Sequence, residues 1–174
     1  MIRTDYRIEA LGLLLCADCL PERYCVLLPY KDLLISGLRL LGCRVKSDAE
    51  RLPDADLLQI GLKDDAEVRL FRRFLALYDA DPKKFREIPK VTSDPEEAAA
   101  FEELYHLPGV KAVRAALYYR AGYRSIRDFA DTSVDEVLRR TADAIKDGHM
   151  TCIPPLPKEV RTQIAAARAF TGDC

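Results

Sequence analysis

Apolar positions recur at helical rather than strand spacing along this chain. From Asp64 to Tyr78, the residues Val68, Phe71, Leu75 and Tyr78 share one face while Arg69, Arg72 and Arg73 fall to the flanks, which predicts an amphipathic packing helix. The same reading predicts helices from Tyr6 to about Cys19 and from Leu28 or Tyr30 to Leu41. Pro21, Pro29, Pro53, Pro82 and Pro89 interrupt the pattern, because proline has no N–H to donate and its ring crowds the preceding turn. No stretch sustains the apolar–polar alternation of a half-buried strand.

The segment from Asp79 to Pro95 holds three prolines and clustered charge, and it reads as the connection between two units, with a short helical turn at Lys83 to Glu87. The boundary falls near Val91, giving an N-terminal unit of residues 1–90 and a C-terminal unit of residues 91–174. Asp94 then opens a helix that should run to about Tyr105. Its side chain can accept from open N–H groups, Pro95 suits the first position, and Glu97 completes a capping box. Ser125 with Asp128 and Ser133 with Glu136 repeat that start signal. Val134, Val137, Leu138 and Ile145 should face inward, Gly148 ends their helix, Ile153-Pro-Pro-Leu-Pro is an extended connector, and Lys158 to Phe170 forms the last helix. Gly122 should end the helix before it in a left-handed conformation. The predicted fold class is all-α, built from two small helical units.

A faint internal echo runs through this pattern. Leu40-Leu-Gly-Cys-Arg-Val-Lys-Ser resembles Arg120-Ala-Gly-Tyr-Arg-Ser-Ile-Arg, each placing a glycine turn between an apolar helix and a short capped one. Such junctions are common, so the echo by itself does not establish a repeat.

Leu107-Pro-Gly-Val-Lys is followed by a helical stretch, then by Ala121-Gly-Tyr and Ser125-Ile-Arg-Asp-Phe. This run of about 23 residues, from Leu107 to Phe129, resembles the helix-hairpin-helix family. The resemblance implies a hairpin at Leu107, Pro108, Gly109 and Val110 whose open N–H groups, at the positive end of the next helix, hold a backbone phosphate of a duplex without reading its sequence. Lys111 departs from the pattern by standing where the family carries a second glycine. Its side chain narrows the approach to the backbone, while its ammonium can meet the phosphate directly. The candidate nucleic-acid-binding residues are therefore Pro108, Gly109, Val110, Lys111 and Arg114. The alternative reading is a compact helix junction used for packing, with apolar faces of the N-terminal helices serving a protein partner or a second copy.

Charge changes this picture locally rather than globally. The first 90 residues carry 16 basic and 15 acidic residues and the remainder 11 and 13, so neither unit has the basic excess of a strong non-specific nucleic-acid binder. Between Glu103 and Asp128, however, there is no acidic residue, while Lys111, Arg114, Arg120, Arg124 and Arg127 add five positive charges. Tyr118, Tyr119 and Tyr123 lie in the same segment, and at least one should belong to the core.

With 49% hydrophobic and 32% charged residues the chain can bury a core, unlike a disordered sequence. Its longest apolar run, Leu11 to Ala17, is far below the roughly 20 residues that span a bilayer. The opening residues lack the apolar core of an export signal, so the expected compartment is the cytoplasm, with six cysteines as reduced thiols. Cys16, Cys19, Cys25 and Cys43 are close enough in sequence to suggest a metal site, but their spacing is not that of paired knuckles, and Cys16 reads as a small buried residue. Cys152 and Cys174 read as exposed thiols, His106 stands at the hairpin entrance, and His149 follows Gly148 at a C-cap. There is no phosphate loop, nucleophile elbow or two-histidine ligand pair. The expectation is a non-catalytic protein without metal or cofactor.

Overall fold

The structure, a computed structural model, describes residues 5–148 and 150–172. His149 and Cys174 lie outside the described residues. The described chain is all-α. In order, its helices are α1 (Leu11–Leu15), α2 (Lys31–Leu40), α3 (Lys46–Glu50), α4 (Asp54–Gln59), α5 (Asp65–Leu75), α6 (Pro82–Val91), α7 (Pro95–Leu104), α8 (Ala112–Arg120), α9 (Ile126–Ala130), α10 (Val134–Asp147) and α11 (Pro157–Thr171). Among the described residues the extended pairing amounts to one isolated bridge, Arg7 with Val45. No helix of the described residues is long and apolar enough to cross a membrane.

Local start signals act as their chemistry dictates. Asp64 accepts from the Ala66 and Glu67 N–H groups, Asp94 from Glu96 and Glu97, Ser125 from Asp128, and Ser133 from Glu136. Only the Ser125 pair closes as a reciprocal box. Glu97 instead accepts the Thr92 hydroxyl at 2.6 Å, and Glu136 turns to Arg139 and Arg140.

The first predicted helix is shorter than its pattern, because Lys46 and Ile8 tie the chain around Tyr6 to the segment at Arg44 through backbone hydrogen bonds. That holds Tyr6 and Arg7 out of the helix, which is a single 3-10 turn, Ile8–Ala10, followed by α1. The predicted start at Leu28 is also corrected: Glu22–Tyr30 is a 3-10 run with Pro29 inside it, and α2 begins at Lys31. The connection at Asp79 to Pro95 is largely helical. Asp81 caps α6 by accepting from Lys83, Pro82 takes the first position, and Pro89 falls two residues before the helix ends.

Buried side chains form two clusters. One gathers Tyr6, Leu11, Leu14, Leu34, Leu38, Phe71, Phe74 and Tyr78, and the other gathers Phe101, Leu104, Leu107, Val110, Tyr118, Tyr123, Phe129 and Val137. The last helix belongs to both. Ala166 and Ala169 of α11 enter the first cluster, Val160, Ile164 and Ala167 enter the second, and Phe170 packs against each.

The echo noted in the sequence marks a structural repeat at a constant offset of 80 residues. Leu41, Gly42 and Cys43 donate to the carbonyls of Gly37, Arg39 and Leu38, and Ala121, Gly122 and Tyr123 donate to those of Leu117, Tyr119 and Tyr118. Gly42 and Gly122 have φ of 81° and 92°, a region where a Cβ brings strain. Asp48 then accepts from the Arg44 and Val45 N–H groups at 2.9 and 3.1 Å, and Asp128 from Arg124 and Ser125 at 2.6 and 2.9 Å. The short helices α3 and α9 follow at the same register. Burial keeps step as well: Leu27 with Leu107, Leu38 with Tyr118, Cys43 with Tyr123, Ala49 with Phe129, and Leu57 with Val137 are all buried. One pair departs in character. Lys46 is buried where the second copy has Ile126, and it is held by Glu50 at 2.8 Å and by Asp79.

Candidate nucleic-acid interface

The hairpin is a tight turn anchored at both ends. The Val110 N–H donates to the Leu107 carbonyl at 3.2 Å, with Pro108 and Gly109 between them and Gly109 at φ 73°. Those are the residues that a turn needing positive φ at its third position demands. Leu107 and Val110 are fully buried, while Gly109 is exposed. Val110 therefore serves as an anchor, its side chain in the core and its N–H spent within the turn.

A hydrogen-bonded chain fastens the turn to α11. Tyr118 donates its hydroxyl to Gln163 Oε1 at 2.6 Å, and Gln163 Nε2 donates to the Pro108 carbonyl at 3.1 Å. Burial pushes the Tyr118 phenol far above its ordinary range, so it keeps the proton that this chain requires.

Lys111 is extended, with φ −130° and ψ −179°, and immediately precedes α8, which has no side-chain cap. Among the described residues no side chain is seen to accept from the N–H groups of that first turn, where the helix dipole is positive. Lys111 is exposed and has no ion pair among the described residues. Arg114 is placed differently from the sequence expectation. Its Nη1 donates to the Ile153 carbonyl at 2.9 Å and its Nη2 lies 3.6 Å from Glu159 Oε2, so it pins the proline-rich connector beside the hairpin. Its charge stays near Gly109, but its donors are committed.

The fold adds cations that the sequence reading did not assign. Lys83 and Lys84 of α6 line an open groove with Gly109, Lys111 and Arg114, against the two acids Asp81 and Glu87. These lysines were hidden because their segment read as a linker, and only the packing of α6 on α7 brings them to the hairpin. Two other cations of the acid-free segment are partly neutralised. Arg124 stacks 3.8 Å over the Tyr119 ring and lies 3.9 Å from Glu96, and Arg127 lies 3.6 Å from Asp131. Tyr118 and Tyr123 are core residues, and Tyr119 is half-buried beneath Arg124.

A cavity of about 390 Å³ adjoins the groove at Lys84 and Gly109 and is bounded further by Cys19, His106, Pro108 and Gln163. His106 is half-buried against Phe85, with ring centroids 4.9 Å apart, and its buried Nδ1 has no hydrogen-bond partner among the described residues. Burial, and then the neighbouring Lys84 charge, hold its pKa below the usual histidine value.

The cysteines do not converge. Cys16, Cys19 and Cys25 are exposed, Cys43 is buried and Cys152 is half-buried. Cys16 thus corrects the expectation of a core residue, because α1 ends at Leu15 and the thiol lies beyond it. Among the described residues no group of three histidine, cysteine or carboxylate side chains is placed to hold a metal ion.

Comparison with protein-family models, with curated proteins and with solved structures finds no match.

Proposed function

We propose that this chain is a non-catalytic module that contacts the phosphate backbone of nucleic acid at its hairpin, where Pro108 and Val110 shape and anchor the turn, Gly109 and Lys111 meet the phosphate, and Arg114 adds charge from beside it. One observation carries the reading. The positive-φ turn at Gly109 runs into a helix without a side-chain N-cap, with the exposed ammonium of Lys111, which has no ion pair among the described residues, at its mouth and Lys83 and Lys84 lining the same groove. With a formal net charge of −1 on the whole chain, attraction is confined to this face, so binding is weak and sensitive to salt. The test is fluorescence anisotropy of a labelled duplex titrated at low and moderate salt. Affinity that falls with salt, and falls further in Lys111→Glu and Lys84→Glu, supports the reading. No binding at the lowest salt overturns it.

A second reading rests on a different surface. Leu40 is 89% exposed on α2, where the equivalent position of α8 is Arg120, and Leu33 beside it on α2 is 52% exposed. Such apolar exposure favours a protein partner or self-association. Light scattering behind a sizing column decides the latter: a monomeric mass across a wide concentration range removes self-association.

A further inference from the structure

The repeat places a second hairpin-equivalent loop in the molecule, at Leu27 to Lys31, in register with Leu107 to Lys111. The two loops are not chemically equivalent. Pro29 stands where the second copy has Gly109, so that position has no N–H to donate and cannot take positive φ. Approach to α2 is also different. The 3-10 run Glu22–Tyr30 passes straight into the helix, and the Lys31 N–H is spent on the Leu28 carbonyl. In the second copy the chain is instead extended at Lys111 before α8 begins. The lysines themselves differ in setting. Lys31 Nζ lies 3.7 Å from Asp32, whose counterpart is Ala112 in a segment without acids.

We infer that the two copies have divided their roles: only the second contacts nucleic acid, so the chain engages one strand and does not need a duplex. This rests on the phosphate-binding reading above. Two competent loops on one body can reach two strands, whereas a single turn reaches successive phosphates of one. The electrostatic contribution then depends on the cations of the second copy alone, and a single strand supplies the phosphates they meet.

The experiment compares Lys31→Glu with Lys111→Glu, titrating a labelled homothymidine strand and a duplex of equal length across a salt series. Lys111→Glu should weaken both and lower the salt slope by about one phosphate, as losing a single lysine contact does. Lys31→Glu should leave slope and affinity at the parent values, and the single strand should bind. If the parent binds but Lys31→Glu costs as much as Lys111→Glu, or the duplex binds and the single strand does not, the division of roles is overturned alone. If the parent binds neither probe, the phosphate reading falls and this inference with it. Lys31→Ala and Lys111→Ala repeat the comparison should a glutamate variant lose its cooperative melt.

Discussion

Replacing Gly37 by alanine sets two effects of opposite sign against each other. Gly37 lies inside α2, where alanine suits the backbone and gains about 1 kcal/mol of helix propensity. The added Cβ falls 2.5 Å from Ile60 Cβ and 2.7 Å from its Cγ2, with its Cα at 3.4 Å. Those atoms form the root of a branched side chain, so no rotation removes the clash, and the backbone at Ile60 must move. Ile60 is itself buried in the N-terminal cluster, so its movement disturbs the packing around it. Overpacking of this kind costs about 1–3 kcal/mol and more when the neighbour is pinned, so the clash wins and the variant loses about 1–2 kcal/mol net. At this chain length each kcal/mol lowers Tm by about 2–4 °C. Urea and thermal melts followed by circular dichroism measure the difference, with Ser36→Ala on the exposed face of α2 as the propensity control. The reasoning fails if Gly37→Ala matches or exceeds the parent while Ser36→Ala behaves as expected. In the second copy this position is Leu117, fully buried, and the counterpart of Ile60 is Arg140.

Gly122→Val should cost more than about 1 kcal/mol in the same melts, since φ is 92° and β-branching worsens the strain, although a Cβ meets nothing closer than Arg140 Nη1 at 3.8 Å. Gly109→Ala meets no atom within 4 Å and should lose about 1 kcal/mol from φ alone; a parent-like melt refutes the turn geometry. Tyr118→Phe leaves Gln163 Oε1 without its buried donor and should cost about 1–3 kcal/mol, with faster hydrogen exchange at the hairpin as its local signature. Glu136 is held down to about 2, from an ordinary value of 4.5, by hydrogen bonds from Arg139 and Arg140. Its contribution to stability is therefore present above 4.5 and lost as pH falls toward about 2; a carboxyl titration by NMR centred near 4.5 contradicts it.

What the sequence revealed was local. Caps at Asp64, Asp94, Ser125 and Ser133 act within three residues, and the periodicity of α5 needs only its own face. The short helices α3 and α4 have too few residues to show a period, and α6 was masked by the prolines at its start and near its end. The repeat was faint because its hidden positions have diverged, from Phe129 to Ala49 and from Ile126 to Lys46. What persists is the Gly-x-Arg frame with its Asp, at Gly42, Arg44 and Asp48 and again at Gly122, Arg124 and Asp128. At the site, Pro108 and Gly109 announced the turn, whereas the commitment of Arg114 to Ile153 depends on a residue 39 positions away. Lys83 and Lys84 joined the groove through helix packing that no local pattern encodes.

The shared last helix also sets the order in which this molecule can assemble. During synthesis α1 emerges long before α11, yet Leu11, Leu14 and Leu15 belong to the cluster that Ala166 and Ala169 complete. The C-terminal cluster waits for Val160, Ile164 and Ala167 of the same helix. Until α11 is made, neither cluster has its full set of apolar partners, and the surfaces that α11 covers lack their cover. Docking of α11 joins elements about 150 residues apart and carries the loop-closure cost of so long a span. Because the same helix supplies apolar side chains to both clusters, a change that loosens α11 weakens the two copies together.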